Sequence, residues 1–158
     1  MIIRKSREND IETMQKLYAK ARKFMADNGN PDQWSGGYPG NELLLEDISR
    51  GESYVCEKDG EIVATFCFFQ RPDPTYLKIY DGNWIKEGPY GVIHRITSSV
   101  PGAGTYCINH CFSRCKNLRI DTHEKNVVMQ NLLKKLGFSY CGIIFLENGE
   151  ERLAFQKV

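Results

Sequence analysis

Three histidines, His94, His110 and His123, are the side chains in this chain best tuned to move protons near neutral pH. His94 lies in Gly91 to Thr97, where Val92, Ile93 and Ile96 among β-favouring neighbours read as a strand. His123 follows Leu118 to Thr122, a second short strand, so both imidazoles can face a gap between neighbouring strands. Alternation sets His94 with Val92 and Ile96, where the competing reading is a structural histidine buried in the core, and sends Arg95 to the opposite face. There Arg95 either binds an acidic group or pairs with a neighbouring strand's carboxylate. Glu124 and Asp121 are further bases, although an acid at a helix start also fits simple helix electrostatics. Tyr140 has a hydroxyl able to donate a proton, but an ordinary sheet role suits it better.

A different chemistry is offered by Ser98 to Gly104, a Ser-, Pro- and Gly-rich turn between the first of these strands and a helix. Helical spacing resumes at Thr105, with Ile108, Cys111, Phe112 and Cys115 on one stripe. A strand, a glycine-bearing turn and a helix in that order leave unpaired N–H groups at the helix start; the segment is either a seat for phosphate or, as is commoner for Pro-Gly-Ala-Gly, an ordinary turn. Cys107, Cys111 and Cys115 recur every fourth residue beside His110. Three ligands strung along two helical turns do not converge on one small ion, so core packing is the better reading.

These residues need elements to hold them. Ile2 to Lys5 reads as a strand. Asn9 and Glu12 resemble a reciprocal cap for a helix through Ile11, Met14, Leu17, Tyr18, Ala21, Phe24 and Met25, closed by Asn28-Gly29. Asn30 to Gly40 is a loop whose Trp34 and Tyr38 either line a pocket or pack the loop down. Asn41 caps a shorter helix that ends at Gly51. Ser53 to Glu57 and Ile62 to Phe69 form a hairpin over Asp59-Gly60. Arg71 to Pro89 is broken by Pro72 and Pro74; Tyr76 to Tyr80 is a strand or an extended loop. This aromatic segment, with Trp84 and then Tyr90, forms the other wall of a pocket. Asn126 starts a helix with the stripe Met129, Leu132, Leu133 and Leu136, capped by Gly137. Phe138 to Phe145 and Arg152 to Val158 are strands joined by a second primed turn at Asn148-Gly149. The result is an α+β architecture, a mixed central sheet with helices on both faces.

The chain has 158 residues, enough for one domain over residues 1-158. Lys and Arg total 21 against 20 for Asp and Glu, so no basic excess argues for nucleic acid. No apolar stretch is long enough to span a bilayer, and Met1 to Ser6 lacks the apolar core of a signal peptide. A cytoplasmic location is expected, with the six cysteines as free, mostly buried thiols.

By element order over the whole chain, and most specifically in its last third, the sequence resembles the GNAT superfamily of N-acetyltransferases. Asn126-Val-Val-Met-Gln-Asn-Leu-Leu-Lys-Lys-Leu-Gly137-Phe138 is similar to that family's Asn…Gly-Phe motif, with the same spacing. Leu118 to Thr122 sits where the family places the preceding strand. Gly102-Ala103-Gly104 stands at its pyrophosphate-binding Gly-x-Gly. The resemblance implies acetyl-CoA lying between two splayed parallel strands. Its pantetheine would pair with backbone at Ile96, Thr97 and Ser98. Its pyrophosphate would rest on amides from Val100 through Gly102, Ala103, Gly104 and Thr105, and Asn126 would contact the pantetheine.

Two positions depart from the pattern. Ser99 replaces the usual Arg or Gln three residues before the first glycine. Leu133 replaces the tyrosine that protonates the leaving thiolate. The implied reaction moves an acetyl group directly to a primary amine, on a small molecule or a peptide. His94, His123 or Glu124 would act as base, backbone N–H groups near Ile96 or Thr97 as oxyanion donors. Trp34 and Tyr38 would wall the acceptor pocket against Trp84 and Tyr90, with Arg95 available to an acidic acceptor group. A homodimer is compatible with the sequence. The alternatives are a non-catalytic acyl-CoA-binding module and a thiol or metal sensor using Cys107, Cys111, Cys115 and His110.

Overall fold

The computed structural model describes residues 1–158. Its strands are β1 (Ile2–Lys5), β2 (Ser53–Lys58), β3 (Glu61–Phe69), β4 (Gly91–Ser98), β5 (Leu118–Thr122), β6 (Ser139–Phe145) and β7 (Glu151–Lys157). Its helices are α1 (Ile11–Asp27), α2 (Asn41–Ser49), α3 (Ala103–Cys115) and α4 (Val127–Lys135). The strands form one mixed sheet in the order β1-β2-β3-β4-β5-β7-β6. Every pairing is antiparallel except β4 with β5.

Adjacent residues of one strand show how the faces divide. Cys56 packs with α3 and α4 side chains such as Cys107, Ile108 and Leu133. Val55 points the other way, to Met14 and Tyr18 of α1 and Leu44 of α2. Beyond α1, that second face is covered by the segment between β3 and β4, whose Tyr76 packs with Cys67, Phe69, Val92 and Ile144. The segment is not a strand. Pro74–Tyr76 is a short 3-10 turn, and the stretch joins the sheet only through Tyr80 opposite Ile143. Pro72 and Pro74 withhold the N–H groups that a strand ladder would need.

Several local expectations need correction. The first turn of α1 is organised by Asp10, whose carboxylate accepts the Arg7 N–H at 2.7 Å and pairs with Arg4, and not by Asn9 with Glu12. Gly40 is the N-cap of α2; Asn41 is already helical, and its side chain accepts from Gln15. Asp59 and Gly60 both have positive φ, as a type I′ hairpin turn requires. At Asn148-Gly149 only Gly149 does, and the Leu146 N–H donates to the Glu150 carbonyl, so that loop is wider than a two-residue turn. α3 begins at Ala103 and not Thr105, because Gly102 at φ 83 completes the turn and serves as N-cap.

Candidate active site

The site begins where β4 and β5 separate. Only Gly91 with Leu118 and Val92 with Arg119 are paired, although β4 runs on to Ser98 and β5 to Thr122. Beyond Val92, the β4 edge that faces β5 has no strand partner. Opposite β3, two β4 residues, Arg95 and Ile96, stand against the single Phe66, and Arg95 adopts φ 52. This is a β-bulge. It breaks the alternation expected of the strand: Ile96 joins Ile93 on the α3 face, while His94 stays with Val92 on the other. The Tyr18 hydroxyl of α1 donates to the Arg95 carbonyl at 2.7 Å. The Arg95 guanidinium grips Asp47 of α2 and donates to the Tyr38 hydroxyl. Arg95 thus pins the bulge to two helices; its partner is a helical carboxylate, not one on a strand.

His94 projects into a cleft of about 630 Å³. Its Nε2 lies 2.6 Å from Asp73 Oδ2, and its Nδ1 lies 4.0 Å from Asp121 Oδ1. Burial raises the Asp73 carboxyl, but the hydrogen bond and charge of His94, with two hydrogen bonds from Thr75, outweigh it and hold it at about 2. An ionised Asp73 must accept, so Nε2 is the donor of this pair, and Nδ1 is the ring nitrogen that faces Asp121. Asp121 in turn accepts from the Tyr76 hydroxyl at 2.5 Å. Burial, then the charge of Asp121, pushes the Tyr76 phenol well up, so it remains a donor.

Trp84 and Tyr90 do not wall this cleft. They sandwich the buried Arg119 guanidinium, at 4.2 and 4.0 Å from the ring centres. Their polar atoms still matter to the site, since the Tyr90 hydroxyl accepts the Asp73 N–H and the Trp84 indole donates to the Tyr76 carbonyl. Trp34 and Tyr38 do line the cleft. Trp34 also packs edge-on against Tyr18, so both readings of it hold.

His123 and Glu124 lie outside the cleft that holds His94. β5 ends at Thr122, and the chain turns away into the start of α4, where the His123 Nδ1 accepts the Lys125 N–H. The pair lines an adjoining hollow of about 320 Å³. Burial and the nearby Arg152 charge lower the His123 pKa. Tyr140 is half-exposed on β6 and packs on Phe155, away from the cleft.

A second groove, of about 400 Å³, meets the His94 cleft at Met25, Trp34, Ile96, Asn126 and Met129. Thr97, Ser98, Ser99 and Gly104 line it further. At its far end the N–H groups of Gly104 and Thr105, in the first turn of α3, have no acceptor in the protein. Ala103 is buried and offers the groove no side chain. The Asn126 amide caps α4 through Met129 and donates to Gln33, which fixes the rim shared by both cavities. Leu133 is fully buried in the core.

The cysteines serve the interior. Cys107 and Cys111 are fully buried, and burial pushes both thiols up, away from the thiolate that a metal or redox sensor needs. No three His, Cys, Asp or Glu side chains are grouped to hold a metal ion. No helix is long and apolar enough to cross a membrane.

Asp73 and Tyr76 escape sequence reasoning, because they sit in the proline-broken segment that carries no periodicity. Asp73-Pro-Thr, an acid before a proline with a hydroxyl two residues on, was the available sign of an ordered turn.

Comparison with known proteins is consistent with this geometry. The model of the acetyltransferase (GNAT) family matches residues 14–138. A GNAT-family acetyltransferase from Streptococcus agalactiae is 34% identical with a TM-score of 0.91, covering 99% of this chain and 94% of its own. One from Listeria monocytogenes is 18% identical with a TM-score of 0.71, covering 99% and 93%. Arabidopsis thaliana Naa50, solved with the bisubstrate analogue CoA-Ac-MVNAL, is 13% identical with a TM-score of 0.64, covering 99% and 97%. No curated protein sequence matches significantly.

Proposed function

The chain belongs to the GNAT family of acetyltransferases, and on that premise we propose that it transfers an acetyl group from acetyl-CoA directly to a primary amine. The observation that carries this reading is the parting of β4 from β5, with the His94 imidazole on one strand and the Asp121 carboxylate on the other.

The groove suits acetyl-CoA in three ways. Residues 96–98 of β4 have an unpaired edge for an amide-bearing arm. The free Gly104 and Thr105 N–H groups, aided by the dipole of α3, favour a pyrophosphate. These backbone donors do not depend on the side chain at Ser99. The groove opens into His94's cleft at Ile96, Asn126 and Met129, so the reactive end of an arm lying in the groove would reach that cleft. When bound, acetyl-CoA supplies an acyl carbon activated by its thioester.

The protein's own residues do the rest. An alkylamine arrives as an ammonium and must lose a proton before it can attack. Asp121 holds the ammonium, and His94 Nδ1 takes the proton while Asp73 fixes the ring and balances its new charge. A C–N bond forms, the C–S bond breaks, and the products are an amide, a free thiol and one proton released through His94. An N–H group on the free edge of β4 near Ile96 or Thr97 stabilises charge on the acyl oxygen. Leu133 supplies no proton, which leaves protonation of the thiolate to solvent in the cleft.

The test is acetyl-CoA consumption over a panel of amines, read as product mass because six cysteines would react with a thiol dye. Turnover with at least one amine, with a rise in Tm on adding acetyl-CoA, is expected; neither effect with any amine would sink the reading. Stabilisation by CoA without turnover favours a non-catalytic acyl-CoA-binding module, the reading that Ser99 and Leu133 motivate.

A further inference from the structure

Charge in the His94 cleft differs from that of the molecule as a whole. The chain carries a net charge of +1. Yet five carboxylates line the cleft, Asp32, Asp73, Asp121, Glu147 and Glu150, against two arginines. Both arginines are already matched. Arg95 pairs with Asp47 at 2.8 Å, and Arg152 with Glu150 at 3.1 Å. Lys125 approaches Asp32 only to 3.9 Å, with both side chains largely in water. Glu147, on the loop between β6 and β7, forms no ion pair in the chain.

Deeper in the same cleft, Thr122 is fully buried and its hydroxyl has no partner in the protein. A buried hydroxyl left unbonded costs free energy unless a ligand or water completes it. The adjoining hollow past Asp32 and Glu150 adds Glu124 and Glu151 and no further lysine or arginine. A carboxylate-lined cleft with its own cations neutralised draws a cation.

We infer that the acceptor is a small linear amine with a second positive charge, a diamine or polyamine. Its reacting nitrogen is held between His94 and Asp121, with Thr122 as a further hydrogen-bond partner. Its far ammonium, which does not react, is met by Glu147 and Asp32. This inference rests on the acetyl-transfer reading and names the substrate class for that same site.

The test compares 1,4-diaminobutane with butylamine at saturating acetyl-CoA, in low and high salt, for the wild type and for Glu147→Gln and Asp32→Asn. The expected result is a preference for the diamine of about tenfold in kcat/KM, expressed in KM. High salt shrinks that preference. Each substitution lowers the diamine-to-butylamine ratio by about two- to fivefold, the size expected of a partly exposed charge pair. A rise in Tm on adding CoA, read for every variant, certifies folding and the cofactor groove. Equal efficiency for the two amines, an unchanged ratio in both variants, or a clear preference for a peptide amine overturns the inference while leaving acetyl transfer intact. Absence of turnover with any amine removes both.

Discussion

His94 was visible in the sequence because few residue types exchange protons near neutral pH, but the residues that make it a base were not. Asp73 is far from it along the chain and lies in a stretch without hydrophobic period; only the fold brings the two within 2.6 Å. Aromatic content pointed to Trp84 and Tyr90 as pocket walls, since composition does not say on which side of a buried arginine a ring will lie. His94→Gln keeps a polar group near Asp73 and removes the base. It lowers kcat by about 10²–10⁴-fold with little change in KM, as measured by steady-state rates. Asp73 also links stability to pH. Its carboxyl stands at about 2 in the folded protein and near 3.9 when unfolded. Its contribution is therefore complete above the unfolded value and is lost as pH falls toward 2, about 2–3 kcal/mol in all. Urea unfolding between about pH 5 and pH 2 shows this loss in the wild type and a smaller one in Asp73→Asn.

At the level of elements, the order of strands and helices was readable from periodicity and turn residues. What escaped was the bulge in β4. A non-glycine residue at positive φ leaves no mark in composition, and Arg95 is held there by Asp47, Tyr38 and Tyr18 from three separate stretches of chain. The bulge moves Ile96 to the opposite face from His94, which frees the imidazole for the cleft. The root of the wedge is equally exacting. A Cβ at Gly91 would lie 2.8 Å from both the Cys115 sulfur and a Phe68 ring carbon. Gly91→Ala therefore destabilises the protein by about 1–3 kcal/mol through overpacking. Urea denaturation checks this, and an unchanged midpoint would contradict the packing described at the root.

For the whole molecule, sequence reasoning reached the mixed sheet with helices on both faces, because alternating strands and amphipathic helices leave few other ways to bury both. It did not reach the place of β7 between β5 and β6, since a hairpin can dock by either strand. That arrangement carries the loop of Glu147 and Glu150 to the mouth of the His94 cleft. The account as a whole turns on a gap between two parallel strands, and a crystal structure with acetyl-CoA and an amine analogue tests it most directly. The account predicts the arm along residues 96–98, the pyrophosphate on the Gly104 and Thr105 amides, and the amine between His94 and Asp121. Acetyl-CoA bound elsewhere, or an amine lying away from His94, would contradict it.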